Sequence, residues 1–152
     1  MRVADVMTQA SITESSTDTV RQAAEKMWRQ QTGSIVVVDG ADFVGIVTER
    51  DILKAVAHGT ELDTTHVGDL MTRDVITTSP DTALRDAARL MARHWIRHLP
   101  VLKGSEVVGI LSQRDLAGVF AALSHEPGEA EIEADQLVRE RRLARIEHGD
   151  LD

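Results

Sequence analysis

The sequence predicts an α+β fold in which two similar β-α-β-β-α units stand in tandem, followed by a C-terminal helix. Residues 3–8 (V-A-D-V-M-T) return at 67–72 as V-G-D-L-M-T, and residues 45–51 (G-I-V-T-E-R-D) return at 109–115 as G-I-L-S-Q-R-D, both at a spacing of 64 residues. Two blocks that keep one offset indicate a duplicated folding unit. In each copy a helical stripe precedes two β-branched runs, which predicts the mixed class.

The first unit begins with a turn of helix at 3–7 and a short strand at 11–13. A helix then starts near residue 18 or 19, and its inward stripe comprises Val20, Ala23, Ala24, Met27 and Trp28. Two strands at 34–38 and 43–47 form a hairpin around a short Gly-containing loop, and a second helix runs from about 48 to 57.

The second unit repeats this order. We predict a strand at 75–77, a helix, strands at 98–102 and 106–111, and a helix from 112 to about 123. The inward stripe of the first of these helices comprises Leu84, Ala87, Ala88, Met91 and Trp95. The predicted domains are therefore repeat 1 at 1–64, repeat 2 at 65–124 and an acidic helical tail at 125–152.

Composition and charge exclude several classes of protein. The formal net charge is −8, of which −5 lies in residues 126–152, so the two repeats offer no basic footprint for nucleic acid. The longest apolar runs are too short to span a membrane. Because there is no cysteine and the first residues lack the apolar core of a signal peptide, we expect a cytoplasmic protein.

The repeated motifs resemble those of CBS domain pairs, named after cystathionine β-synthase. The resemblance rests on the D-V-M-T and D-L-M-T openings, the R-H-L-P-V strand start at 97–101 and the closings at 45–51 and 109–115, and it covers about residues 1–123. The sequence is similar to stand-alone members, of which the hypoxic response protein type is one. The resemblance implies that the two units pack sheet to sheet around a pseudo-twofold axis and that the chain forms a homodimer.

The resemblance also implies two pseudo-symmetric sites for adenosine compounds such as AMP, ADP, ATP or S-adenosylmethionine, with no obligatory cofactor. Asp51 and Asp115 occupy the ribose position, where carboxylate oxygens accept hydrogen bonds from the sugar hydroxyls. Thr48 and Ser112 lie near the sugar or phosphate, Gly45 and Gly109 allow close approach, and Ile12 and Ile76 are candidates to contact adenine. The remaining candidate ligand-binding residues stand at the two strand entrances: Gly33, Ser34, Arg97 and His98.

These motifs also have structural interpretations. A hydroxyl followed three residues later by a carboxylate resembles a helix capping box, and the glycines fit sheet bulges equally well. Only the second copy has a basic pair at its strand entrance. The resemblance implies that this position reaches a phosphate beside the aspartate of the other unit, so we expect Arg97 and His98 to complete a site at Thr48 and Asp51 for a charged nucleotide. The alternative is that Arg97 only caps the C-terminus of the preceding helix. The site at Ser112 and Asp115, beside residues 32–34, would take a less charged ligand or none.

The sequence favours a regulatory module over an enzyme. It contains no recognisable catalytic motif, and the spacing of His94 and His98 lacks a third ligand for a metal. We expect an adenosine ligand to shift a conformational equilibrium whose output passes through a partner protein. The alternative is a ligand-independent dimeric scaffold that presents the C-terminal helix, with Trp28 and Trp95 in the core or at a subunit contact.

Overall fold

The computed structural model describes residues 1–9 and 13–123; Ile12 and the predicted tail helix lie outside these ranges. The chain divides into two compact units, Met1–Ala117 and a second that begins at Gly118 and is described as far as Leu123. After a 3-10 helix at Val3–Asp5, the elements are β1 (Thr8–Gln9), β2 (Thr13–Glu14), α1 (Val20–Gln30), β3 (Ser34–Asp39), β4 (Asp42–Thr48), α2 (Glu49–Ala57), α3 (Val67–Leu70), α4 (Leu84–His94), β5 (His98–Lys103), β6 (Glu106–Ser112) and α5 (Gln113–Leu123).

The first sheet has the order β2-β3-β4, with β3 parallel to β2 and antiparallel to β4. The hairpin turn relies on Gly40, whose φ of 63° favours glycine. Helix α1 starts where the sequence predicts, because the Thr19 hydroxyl accepts from the Gln22 N–H and the Gln22 side chain accepts from the Thr19 N–H. The central strand β3 is buried at four successive residues, as expected for a strand covered on both faces.

The second sheet has the order β1-β6-β5, all antiparallel, and β6 lies against β4 of the first sheet. The predicted tandem of two β-α-β-β-α units packed sheet to sheet is therefore confirmed. Helix α4 covers β5 as α1 covers β3. The register of both hairpins shifts at equivalent places, after Val37 and after Val101.

The opening segments of the two copies are exchanged. Strand β1, which precedes the first copy, pairs with β6 of the second, where Thr8 lies opposite Ile110. Its counterpart Thr72 forms a bridge with Ile46 of the first copy. Val67 belongs to the core cluster of the first copy. Each copy therefore completes the sheet of the other.

The strand predicted at 75–77 is wrong. A single parallel bridge joins Thr78 to Val101 in place of the two-residue ladder that β2 forms with β3. Extending this ladder to residue 77 would require an N–H donor at Pro100, and proline has none. The equivalent residue in the first copy, Val36, has that donor.

The predicted inward positions of the two tryptophans are also wrong. Trp28 is 78% exposed, because it lies about 100° round α1 from the buried Met27. Trp95 is 48% exposed and is the C-cap residue of α4, with a φ of 54°. The chain has already left the helix at that residue, so helical spacing no longer places the side chain.

Candidate functional site

A cavity of about 530 Å³ lies within the first compact unit, a volume in the usual range for small-molecule sites. It is bounded by β1, the end of α1, the start of β3, the first residue of α2, the start of β5, the end of β6 and the first turns of α5. The lining residues are Thr8, Gln30, Gln31, Thr32, Gly33, Ser34, Val36, Glu49, Arg97, His98, Ile110, Ser112, Gln113, Arg114, Asp115 and Ala117.

The hairpin registers explain how these residues meet. In the second copy His98 lies opposite Ser112, and the Gln113 N–H donates to the Arg97 carbonyl at 2.8 Å. The first copy has the equivalent bond from the Glu49 N–H to the Gly33 carbonyl at 3.0 Å. Each strand entrance is thereby fixed to the start of its own following helix, and the cavity lies where these two junctions face each other.

Asp115 is half-buried and is the third residue of α5, where it forms a capping box with the N-cap residue Ser112. The Ser112 N–H and hydroxyl both donate to its Oδ2, at 2.8 and 2.6 Å, and the Asp115 N–H donates to the Ser112 hydroxyl at 3.2 Å. The capping interpretation of this motif is therefore correct. Among the described residues, the hydrogen bonds to this carboxylate go to Oδ2, which leaves Oδ1 for a ligand in the cavity.

Ser34 contributes a buried hydroxyl that has no partner among the described residues. The residue is 3% exposed, and its Oγ makes no hydrogen bond. A buried hydroxyl without a partner costs about 1–3 kcal/mol. Because Ser34 lines the cavity, a polar ligand atom there would satisfy it.

His98 and Arg97 bring basic groups to the same cavity. Burial lowers the pKa of His98 below its ordinary value, and the positive charges of Arg97 and Arg114 lower that pKa further. The negative charges of Glu49 and Asp115 raise this pKa, each with less effect than Arg97 and more than Arg114. The His98 ring is therefore neutral at physiological pH and can donate or accept a hydrogen bond.

Six of the predicted ligand-binding residues meet in this cavity, from both copies: Gly33, Ser34, Arg97, His98, Ser112 and Asp115. The basic pair was expected to complete the other site, at Asp51. In the described cavity it lies with Asp115, because the strand register fixes β5 to the end of β6, and its part in a site at Asp51 stays a prediction.

Thr48 and Asp51 are not among the lining residues. They form the equivalent cap on α2, in which the Thr48 N–H and hydroxyl donate to Asp51 Oδ2 at 2.8 and 3.2 Å. Ile76 is half-buried and does not line the cavity either.

Gly45 and Gly109 allow other segments of the same chain to approach the strands closely. A Cβ at Gly45 would lie 2.6 Å from Met71 Sδ and 2.7 Å from the Thr72 carbonyl oxygen. A Cβ at Gly109 would lie 2.6 Å from Met7 Sδ. The two glycines therefore accommodate the exchanged opening segments, and neither belongs to the cavity lining.

Several residues that line the cavity were not predicted from the sequence. Glu49 and Gln113 stand inside the repeated closing motifs, and Thr8 ends a repeated opening, so the duplication was the available signal for them. Val36 and Ile110 were assigned only to strands; they provide apolar surface beside the polar groups. Further lining residues that were not predicted are Gln30, Gln31, Arg114 and Ala117.

The sequence profile of the CBS domain matches residues 3–58 and 67–122, which make up most of the chain. The chain belongs to the CBS domain family. This CBS pair is 37% identical over 116 residues to the CBS domain-containing protein YhcV of Bacillus subtilis (strain 168), covering 76% of this chain and 82% of that protein. This chain covers only 54% to 61% of the length of three further curated relatives.

Solved structures support the same fold for this CBS pair. The CBS domain pair of protein MJ0100, in complex with 5′-methylthioadenosine and S-adenosyl-L-methionine, is 28% identical, with a TM-score of 0.76 and coverage of 82% of this chain and 98% of that one. Hypoxic Response Protein I, with two coordinated zinc ions, is 24% identical, with a TM-score of 0.69 and coverage of 84% and 100%. The second likeness concerns the fold alone.

The described part of the CBS pair lacks two further features. Across residues 1–9 and 13–123, no group of three or more His, Asp or Glu side chains is arranged to hold a metal ion. In the same ranges, no helix has the length and apolar character needed to cross a membrane.

Proposed function

We propose that this CBS pair is a regulatory module that binds an adenosine compound in the 530 Å³ cavity and transmits occupancy to a partner protein. One observation carries the proposal: the cavity combines residues of both repeats, namely a carboxylate oxygen and a buried hydroxyl that have no partner among the described residues, and a basic pair. The adenosine compounds bound by the related MJ0100 pair support the ligand class.

The lining residues suggest how the ligand lies. Asp115 Oδ1 accepts from the ribose hydroxyls, and the Ser34 hydroxyl bonds to a polar edge of the base or sugar. Val36 and Ile110 contact the adenine face in place of Ile76. Arg97, His98 and Arg114 lie near the 5′ substituent of the ribose.

A second, pseudo-symmetric site at Thr48 and Asp51 remains part of the proposal. The carboxylate of the cap on α2 accepts the same two hydrogen bonds as that on α5, and Asp51 Oδ1 is also left without a hydrogen bond from the described residues. Gly45 and Gly109 also belong to the proposal, because they allow the close packing of the sheets beside the two sites.

The ligand acts by differential affinity. Residues from both repeats line the cavity, so a bound ligand stabilises one relative placement of the repeats and shifts the equilibrium toward it. We propose no catalytic role for the chain. We expect it to act in the cytoplasm as a homodimer, with an effector protein as the output.

Titration calorimetry against AMP, ADP, ATP, S-adenosylmethionine and 5′-methylthioadenosine tests the ligand class. At least one of these compounds should bind saturably. At about 100 times its Kd that ligand adds about 2.7 kcal/mol of stability, which raises the Tm by several degrees. If none of the five binds or raises the Tm, the proposal is wrong.

An exposed apolar surface favours a second candidate, a ligand-independent interaction scaffold. Trp28, Leu53 and Val56 are all more than half exposed, on the neighbouring helices α1 and α2. Truncation after Ser124 separates the two candidates. If the C-terminal segment is the working part, partner binding fails in the truncated chain while its affinity for adenosine compounds is kept.

A further inference from the structure

Glu49 brings an acidic side chain from repeat 1 into a cavity whose basic pair comes from repeat 2. Its carboxylate Oε2 lies 4.0 Å from an Arg97 guanidinium nitrogen. Glu49 is the first residue of α2, and its N–H is fixed to the Gly33 carbonyl. The position of this carboxylate therefore follows from the backbone at the strand entrance.

The pair formed by Glu49 and Arg97 is not repeated at the pseudo-symmetric positions of the molecule. At the 64-residue offset, Gln113 is the counterpart of Glu49, and Gly33 is the counterpart of Arg97. A Cβ at Gly33 would lie 2.9 Å from His98 Nε2 and 3.3 Å from Glu49 Cδ. The space left by the missing side chain of Gly33 is thus occupied by His98 and Glu49. The junction in repeat 1 therefore contributes the acidic side chain, Glu49, and the junction in repeat 2 contributes the basic side chain, Arg97.

The charges of the cavity balance. Its ionisable lining residues other than His98 are the acids Glu49 and Asp115 and the bases Arg97 and Arg114. A phosphate needs a cationic partner to offset its lost hydration, and Glu49 already occupies the neighbourhood of Arg97. The Glu49 side chain is 61% exposed, so it can move aside, at the cost of leaving its ion partner.

We propose that Glu49 sets the charge selectivity of this cavity by keeping phosphate groups away from Arg97. The inference rests on the proposed function and specifies which class of adenosine compound the cavity binds. The cavity then prefers adenosine compounds whose 5′ substituent carries no net negative charge, such as nucleosides and their thioether or sulfonium derivatives, over nucleoside phosphates.

The substitution Glu49→Gln tests this directly, since glutamine is the residue that the second repeat carries at the equivalent position. Calorimetry with adenosine and AMP should show AMP binding tightened at least about fivefold relative to adenosine, the effect of removing one like charge roughly 4 Å away in water. An unchanged ratio of the two affinities would overturn the inference and leave the proposed function standing.

Glu106→Gln serves as the matched control, because it removes the same charge at the far end of β6 from Ser112. It should leave the ratio of AMP to adenosine affinity as in the unaltered protein. A shift equal to that of Glu49→Gln would indicate an effect of net charge alone and would count against the inference.

Inorganic phosphate gives a readout that does not depend on adenosine binding. Its binding can be followed through the NMR resonances of the His98 ring, and Glu49→Gln should tighten it by a similar factor. If adenosine compounds bind to neither protein while phosphate binding is tightened, the proposed function fails and the role of Glu49 stands. If Glu49→Gln leaves phosphate binding unchanged, the role of Glu49 is refuted.

Discussion

His98 lines the cavity in an environment that differs from that of a solvated side chain. Burial lowers its pKa from an ordinary value of about 6.5, with Arg97 and Arg114 acting in the same direction and Glu49 and Asp115 opposing them. A histidine whose pKa is depressed by folding stabilises the folded state above its unfolded pKa. That contribution is lost as the pH falls through the folded value.

We therefore predict that lowering the pH from 7 to 5 reduces the free energy of unfolding, and that His98→Gln removes part of this decrease. In this window carboxylates with lowered pKa values, such as Asp39 and Asp63, stay ionised in the folded state. Urea denaturation at several pH values measures the effect. His58→Gln, at an exposed histidine, is the control; an equal pH dependence in both variants would contradict the prediction.

Residue identities were predictable where the duplication marked them, and less so elsewhere. The 64-residue offset identified Ser112 and Asp115 together with their structural role as a cap. The offset did not predict that Glu49 lies near Arg97, because these two residues belong to junctions that are far apart in the sequence. The unpaired hydroxyl of Ser34 likewise depends on three-dimensional packing.

At the level of elements, the exchanged opening segments depend on two glycines. We predict that Gly45→Ala and Gly109→Ala each lower the free energy of unfolding by about 1–3 kcal/mol, because an added methyl group overlaps Met71 or Met7 and the adjoining carbonyl oxygen. Urea denaturation measures the loss.

Gly118→Ala in α5 is the matched control. An added Cβ there meets no atom within 4 Å, so this change should be neutral or should add about 0.5–1 kcal/mol through helix propensity. Equal destabilisation in all three variants would show that close approach is not what Gly45 and Gly109 provide.

Most elements follow from periodicity, and the exceptions have local causes. Helix α1 and the β3–β4 hairpin occur within a residue or two of their predicted limits, because stripe, cap and turn signals agree there. The strand expected at 75–77 fails because the partner of its ladder is Pro100. A β-branched run predicts extended backbone, but it does not reveal the hydrogen-bonding capacity of its neighbour.

At the scale of the whole molecule, the exposed apolar residues of α1 and α2 predict self-association. Replacing Trp28 by Glu places a charge in that surface, so we expect dimer formation to weaken at least about tenfold, the cost of losing one large apolar anchor. Sedimentation velocity over a concentration series measures it. Arg29→Glu, at the next exposed position, should have a smaller effect, and a protein that is monomeric throughout would refute the expectation.

The arrangement of the site belongs to the whole molecule as well. The family resemblance predicted that residues 33–34 of one repeat meet Asp115 of the other, which the cavity lining contains. It did not predict that the basic pair lies in the same cavity. That follows from the pairing of β5 with β6, a register that motif positions alone do not specify.

The proposed function requires that the cavity at Asp115 binds an adenosine compound. The most direct measurement follows the His98 ring by NMR during titration with adenosine in Asp115→Asn and Asp51→Asn. Both substitutions alter the same kind of helix cap, but only Asp115 lines the cavity that contains His98. We predict that Asp115→Asn weakens the response of His98 at least about tenfold while Asp51→Asn preserves it. Equal responses in the two variants, or no response of His98 in the unaltered protein, would contradict the account.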